Sequence, residues 1–175
     1  MGRIVWIASF PKSGNTWVRV FLNNLFANAD APVALDAIGR FTTSEAAVDY
    51  YRRFDPRPPA AWTRQDTARM RPQVHALIAG LKDGLSLVKT HCRFGHDHGQ
   101  PTVNLDVTAG AVYIVRNPLD VAVSFADHMG MTIDQAISIM AFPDAFTDQG
   151  AATVSEPRGS CSGNVASWTR PARPS

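Results

Sequence analysis

The sequence predicts an α/β domain of three layers, with a short parallel sheet between helices on its two faces. Residues 4–10, Ile-Val-Trp-Ile-Ala-Ser-Phe, are almost continuously apolar and β-prone. That is the habit of a strand buried on both sides in a parallel sheet. A Pro-Lys-Ser-Gly turn follows, and then Trp17, Val18, Phe21, Leu22 and Leu25 recur at helical spacing. Two more short apolar runs, Leu85–Lys89 and Ala111–Val115, come directly after glycines. Strand, glycine turn and helix in that order open an α/β domain.

Taken along the chain, the first helix spans roughly residues 15–28, with Arg19, Asn23 and Asn24 opposite its apolar stripe. Residues 40–71 read as helix in pieces, broken by Pro56, Pro58 and Pro59. They hold seven arginines against four acids, which reads as a solvated helical face, with a basic cap over an anion site as the alternative. Leu85–Lys89 is the second strand and Ala111–Val115 the third, read as buried. Pro118 suits the first turn of a helix that carries Val121, Ala122, Phe125 and Met129. Another helix covers 132–141 and stops before Pro143. Residues 1–150 are expected to form the domain and 151–175 a weakly ordered tail, in which only Val165–Trp168 looks able to pack.

Composition narrows the function. The chain has 175 residues, one domain by length, and 45% of them are hydrophobic, so bulk disorder is excluded. Lys and Arg total 17 and Asp and Glu 15, a balance that announces neither a nucleic-acid partner nor a membrane surface. Two cysteines, Cys92 and Cys161, make no disulfide scaffold. No apolar run is long enough to span a bilayer, and the N-terminus lacks the features of a secretion signal. A cytoplasmic protein is the expectation.

Three segments carry chemistry. Phe10-Pro11-Lys12-Ser13-Gly14-Asn15-Thr16-Trp17 lies between a strand and a helix N-terminus, where backbone N–H groups and the helix dipole meet an anion. Lys12 adds a positive charge, Ser13 and Thr16 add hydroxyls, and Trp17 offers a face to a base. No Gly-Lys-Ser/Thr ends the loop, so it is not a Walker A turn with a hydroxyl for magnesium. In the segment 112–125, Arg116 follows a strand and Ser124 lies about two turns into the next helix, both suited to a phosphate. Lys89-Thr90-His91 ends another strand, where a histidine can act as general base. Each segment alone admits a plainer reading: an ordinary turn with a surface lysine, an Arg116–Asp120 ion pair, a satisfied histidine.

Together, the three segments resemble the cytosolic-type sulfotransferases. Pro11–Trp17 is similar to their 5′-phosphosulfate loop, PKSGTTW. Tyr113–Phe125 is similar to their 3′-phosphate segment, and Lys89-Thr90-His91 to the KTH that carries their catalytic histidine. The resemblance covers roughly residues 3–142. It implies a P-loop-like three-layer α/β/α fold and the donor 3′-phosphoadenosine 5′-phosphosulfate, with no metal. It further implies that Lys12 stabilises the leaving phosphate and His91 takes the acceptor's proton. Ser13, Gly14, Asn15 and Thr16 would hold the 5′-phosphate, Trp17 would pack on adenine, and Arg116 and Ser124 would bind the 3′-phosphate. The acceptor would be a small hydroxyl or amine.

The sequence departs from the family near its end. No Arg-Lys-Gly is present, and in a segment that resembles GSWxxHVxxW, Cys161 replaces Trp and Asn164 replaces His. The expectation is a shortened member, its fold incomplete at the C-terminus, with a half-built donor pocket and a core wall that a second copy could cover as a homodimer. Three rival readings follow. A kinase or NTPase would need a metal ligand from Asp83, Asp106 or Asp120. A zinc module would use His91, Cys92, His96, Asp97 and His98. A catalytically impaired remnant would at most bind nucleotide.

Overall fold

The computed structural model describes residues 2–28, 31–32 and 38–170. Part of the loosely family-like segment 30–80 and the end of the expected tail, 171–175, lie outside the described residues. Strand β1 (Arg3–Ser9) is central, and the sheet order is β2 (Thr42–Ser44), β3 (Leu85–Thr90), β1, β6 (Thr108–Ile114), all parallel. Helices α1 (Asn15–Ala27), α2 (Val48–Tyr51), α3 (Arg64–Gly80), α4 (Pro118–Met129), α5 (Ile133–Ala141) and α6 (Cys161–Thr169) flank it. A two-residue-stranded hairpin, β4 (His96–Asp97) with β5 (Gln100–Pro101), follows β3. The α/β architecture with a parallel sheet is therefore as the sequence predicts.

The continuous apolar character of β1 has its reason in this position. One core cluster joins Ile4, Trp6 and Val88 of the sheet to Met70, Val74 and Ile78 of α3 and to Val48, Tyr51 and Trp62. A second packs Phe10 against Val121, Ala122, Phe125 and Ala126 of α4 and Ala136 and Met140 of α5. Trp6 is wholly buried, and its indole N–H donates to Thr108 Oγ1 at 2.9 Å, so its polar edge is satisfied.

Four expectations need correction. The apolar stripe of α1 faces outward: Trp17, Phe21, Leu25 and Phe26 are more than half exposed, while Asn15 and Asn23 are buried. Polar anchors turn the helix this way, for Asn15 Nδ2 donates to Ile7 O at 2.9 Å and Arg19 Nε to Thr42 Oγ1 at 2.9 Å. Strand β6 is an edge strand rather than a buried one, and Val112 and Val115 are exposed. The broken helical pieces of 40–71 contain β2 and the start of α3, which the Thr63/Asp66 capping box opens and which runs through Pro72. The expected tail is folded in as far as it is described. Val154, Glu156, Arg158 and Asn164 are buried, and Trp168 Nε1 donates to Cys92 O at 2.9 Å. Its contacts are mostly polar, so it carries little of the apolar periodicity that announces packing.

The arginine-rich stretch also divides. Arg52, Arg57 and Arg69 make exposed ion pairs with Asp49, Asp55 and Asp66. Arg71 instead lies inside, between Glu45 at 3.5 Å and Asp97 at 3.5 Å. Glu45 is fully buried. It accepts from Thr90 Oγ1 at 3.0 Å, Cys92 Sγ at 3.0 Å, Tyr51 OH at 3.3 Å and His75 Nε2 at 3.4 Å. Burial opposes its ionisation, but the His75 hydrogen bond and the Arg71 charge outweigh that and hold its pKa well below the usual range. His75 Nδ1 accepts from Asn104 N at 3.3 Å, which leaves its proton on Nε2, facing Glu45. Burial pushes the His75 pKa down, consistent with a neutral ring.

Removal of the Arg71 charge strands a carboxylate in the core. Arg71→Met is expected to lower the unfolding free energy by about 3–5 kcal/mol, read from the midpoint of urea unfolding. An unchanged midpoint would mean that the neutral donors satisfy Glu45 without it.

Candidate active site

Three adjacent strands deliver the sequence-predicted residues to one edge of the sheet. Lys12 follows β1, His91 follows β3 and Arg116 follows β6. The carboxyl edge of a parallel sheet is where ligands bind in open α/β folds.

The turn after β1 is built by backbone conformation. Lys12 has φ 65° and Gly14 φ 103°, both left-handed, and Ser13 N donates to Phe10 O at 3.3 Å. Gly14 takes its conformation freely; Lys12 is held there at a strain of order 1–3 kcal/mol. Lys12 is half-buried and has no ion pair among the described residues. Arg116 Nη1 donates to Lys12 O at 3.1 Å, so the arginine is tied to the turn and makes no pair with Asp120. The first N–H groups of α1 have no acceptor within the helix, which leaves them available to an anion.

The remaining residues of the turn differ in orientation. Ser13 is buried and Thr16 exposed. The side chain of Asn15 does not face the edge: besides Ile7 O, its amide donates to Ser9 Oγ at 3.2 Å. Only the Asn15 backbone could meet a ligand. Trp17 is 73% exposed and stacks on Phe21 with centroids 6.3 Å apart. Ser124 is half-buried on α4, and no contact joins it to Arg116 or to the turn among the described residues.

His91 is held from three sides. Its Nδ1 lies 2.8 Å from Ser9 O and 3.3 Å from Ser9 Oγ. A carbonyl only accepts, so Nδ1 carries the proton and the lone pair resides on Nε2. Glu156 Oε1 accepts from His91 N at 2.6 Å, and Asn164 Nδ2 donates to His91 O at 3.0 Å. Burial, and then the Lys89 charge, push the imidazole pKa down to about 4. The ring is therefore neutral at pH 7 and able to accept a proton on Nε2.

Residues with no motif of their own provide this support. Glu156 also takes Lys89 Nζ at 2.7 Å. Asn164 donates a second bond to Arg158 O at 2.7 Å and accepts from Tyr113 OH at 2.6 Å. The position at which Asn replaces the family's His is thus a junction between β6, His91 and the segment before α6. Neither Ser9, Glu45, Glu156 nor Asn164 is marked as functional by spacing. The near-match to GSWxxHVxxW is the one signal that could have drawn attention to Asn164.

The residues of the zinc reading do not gather. His91 turns to Ser9, Cys92 to Glu45 and Asp97 to Arg71. Among the described residues, Glu45, Cys92 and Glu156 do bring ligand-type atoms within 4.8 Å of one another, all buried. Their atoms are already engaged: Lys89, Thr90 and the His91 amide donate to the carboxylates. Burial, and then the Glu45 charge, push the Cys92 thiol up, so it stays a donor.

The family model described as "Sulfotransferase domain" matches residues 3–174. No curated protein matches the chain. Among the described residues, no helix is long and apolar enough to cross a membrane.

The depressed His91 pKa has a sign in stability. An unfolded histidine titrates near ~6.5, whereas the folded one resists protonation until about 4. Its contribution is therefore full above the unfolded value and is lost as pH falls through that window. His91→Gln is expected to flatten the fall in stability between these two values, measured by urea unfolding across pH. Parallel curves for variant and wild type would show that His91 titrates as freely folded as unfolded.

Proposed function

The chain belongs to the sulfotransferase-domain family, and from that premise we propose that it moves a sulfuryl group from 3′-phosphoadenosine 5′-phosphosulfate to a hydroxyl or amine of a small acceptor. The observation that carries this reading is the bond between Arg116 and the Lys12 carbonyl. It links the arginine suited to a 3′-phosphate with the turn suited to a 5′-phosphosulfate. A donor with phosphates at both positions would bridge them.

In this reading the new bond forms between the acceptor oxygen or nitrogen and sulfur. The bond between sulfur and the bridging oxygen breaks, and its electron pair stays on the phosphate. His91 Nε2 takes the acceptor's proton. The Lys12 ammonium faces the charge that grows on the bridging oxygen, and a preplaced cation lowers the barrier because that charge is largest in the transition state. The N–H groups at the start of α1, with Ser13 and Thr16, hold the 5′-phosphate. Trp17 offers its open face to adenine, and Ser124 supplies a hydroxyl to the 3′-phosphate.

Calorimetric titration of the purified chain with 3′,5′-adenosine bisphosphate and with 5′-AMP tests the donor site. The bisphosphate is expected to bind more tightly, and Arg116→Ala to remove that preference. Equal weakening for both nucleotides would contradict the role of Arg116. Absence of binding by a folded chain would leave the remnant reading in front. Once an acceptor is found, Lys12→Ala is expected to lower kcat by roughly 100- to 1,000-fold with a much smaller change in nucleotide affinity. A loss confined to affinity would reassign Lys12 to ground-state binding.

A further inference from the structure

A cavity of about 350 Å³ opens between the loop after His91 and the start of α6. Pockets of this size suit small molecules. Arg93, His96, Ser160 and Ser167 supply its polar lining, Phe94 an apolar wall, and no acidic residue lines it. Phe94 is backed by Trp168, with ring centroids 5.4 Å apart.

Arg93 is the unusual member. It is half-buried, yet its guanidinium has no hydrogen bond or ion pair among the described residues. Among the described residues, the buried arginines are partnered: Arg71 by Glu45 and Asp97, Arg158 by the carbonyls of Phe146 and Gly159. A partly desolvated guanidinium to which the protein offers no acceptor is ready to take one from an anion that enters the cavity. Gly159 leaves room for the arginine. It has φ 66°, and a Cβ there would come within 3.3 Å of Arg93 Cδ and 3.2 Å of Pro143 O. Ser160 Oγ accepts from Gly163 N at 3.1 Å, which leaves its hydroxyl proton free to donate. Ser167 Oγ is already committed, accepting from Phe94 N at 3.0 Å and donating to Asn164 O at 2.7 Å.

We propose that this cavity seats the oxyanion of a small molecule, a carboxylate or phosphate group, with Arg93 as its counter-ion and Ser160 as a second donor. That the molecule is the sulfuryl acceptor rests on the transfer reading above; the anion seat itself does not. Arg93 is two residues from His91, and Asn164, on the helix that walls the cavity, holds the His91 carbonyl. An acceptor anchored by its anionic group would thus be held by the same short stretch that presents the base. Hydroxyl acceptors carrying an acid would then be preferred over neutral ones.

The test uses benzoate and its neutral isostere benzamide, titrated into the full chain with and without saturating 3′,5′-adenosine bisphosphate. Binding is followed through the amide resonances of Gly95, Gly159 and Gly163. Benzoate is expected to bind roughly tenfold or more tighter than benzamide. Arg93→Gln should bring the two within about twofold of each other, and Arg93→Lys should restore much of the preference. Bisphosphate affinity should be unchanged in both variants. Equal binding of the two probes, no shift at these glycines, or a preference that survives Arg93→Gln would overturn the seat. Benzoate preference in a chain that binds no bisphosphate would support the seat and retire the donor reading. Bisphosphate binding without benzoate preference would do the reverse.

Discussion

The carboxylate of Glu45 is the constraint around which the site is arranged. It is wholly buried, and a charge in that position survives only if every lone pair is met. The five residues that meet it come from four places: Tyr51 of α2, Arg71 and His75 of α3, Thr90 at the end of β3, and Cys92 beyond it. Thr90 and Cys92 bracket His91. One buried charge therefore fixes the backbone on both sides of the proposed base, and it ties that backbone to the helix covering the sheet. Any shift of this loop would unpair a core carboxylate, which is why the loop can be expected to stay where it is.

Lys12 and His91 are positioned by opposite means. The histidine is held through hydrogen bonds to its ring, its N–H and its C=O. The lysine's ammonium has no partner among the described residues, and only its backbone is set, in a left-handed conformation anchored by Arg116. A base needs a defined tautomer and direction. A cation that must follow developing charge needs a fixed root and a mobile head. The geometry of the two side chains, after neighbouring strands, suits these two roles in the proposed transfer.

The local parts of the molecule were legible in the sequence. β1, the turn at Lys12, α4 with Pro118 in its first turn, and α5 are each specified by contiguous residues, and the pattern of those residues predicts them nearly to their bounds. The orientation of α1 was not. Periodicity shows that a helix has an apolar face, but not that Asn15 and Arg19 have acceptors on the sheet that draw the polar face inward. β2, with three residues, is too short to show alternation, and the β4–β5 hairpin has two residues on each side. Glu45, Glu156 and Asn164 act through partners dozens of positions away. A lone acid or amide in a sequence gives no sign of such a partner, and the last of them stands in a stretch whose composition suggests a tail.

The separation along the chain between His91 and its supports has a temporal meaning. Glu156 lies 65 positions after His91, and Asn164 lies 73. A nascent chain that has completed β3, β1 and β6 already owns the sheet, the Lys12 turn and Arg116, but the N–H and C=O of His91 still face water. Ser9 of β1 already meets the imidazole, whereas the peptide N–H and C=O of His91 find their partners only when the last segment docks. During synthesis, the partners of the sheet and the partners of the His91 peptide groups thus arrive separately, the second only with nearly the whole chain.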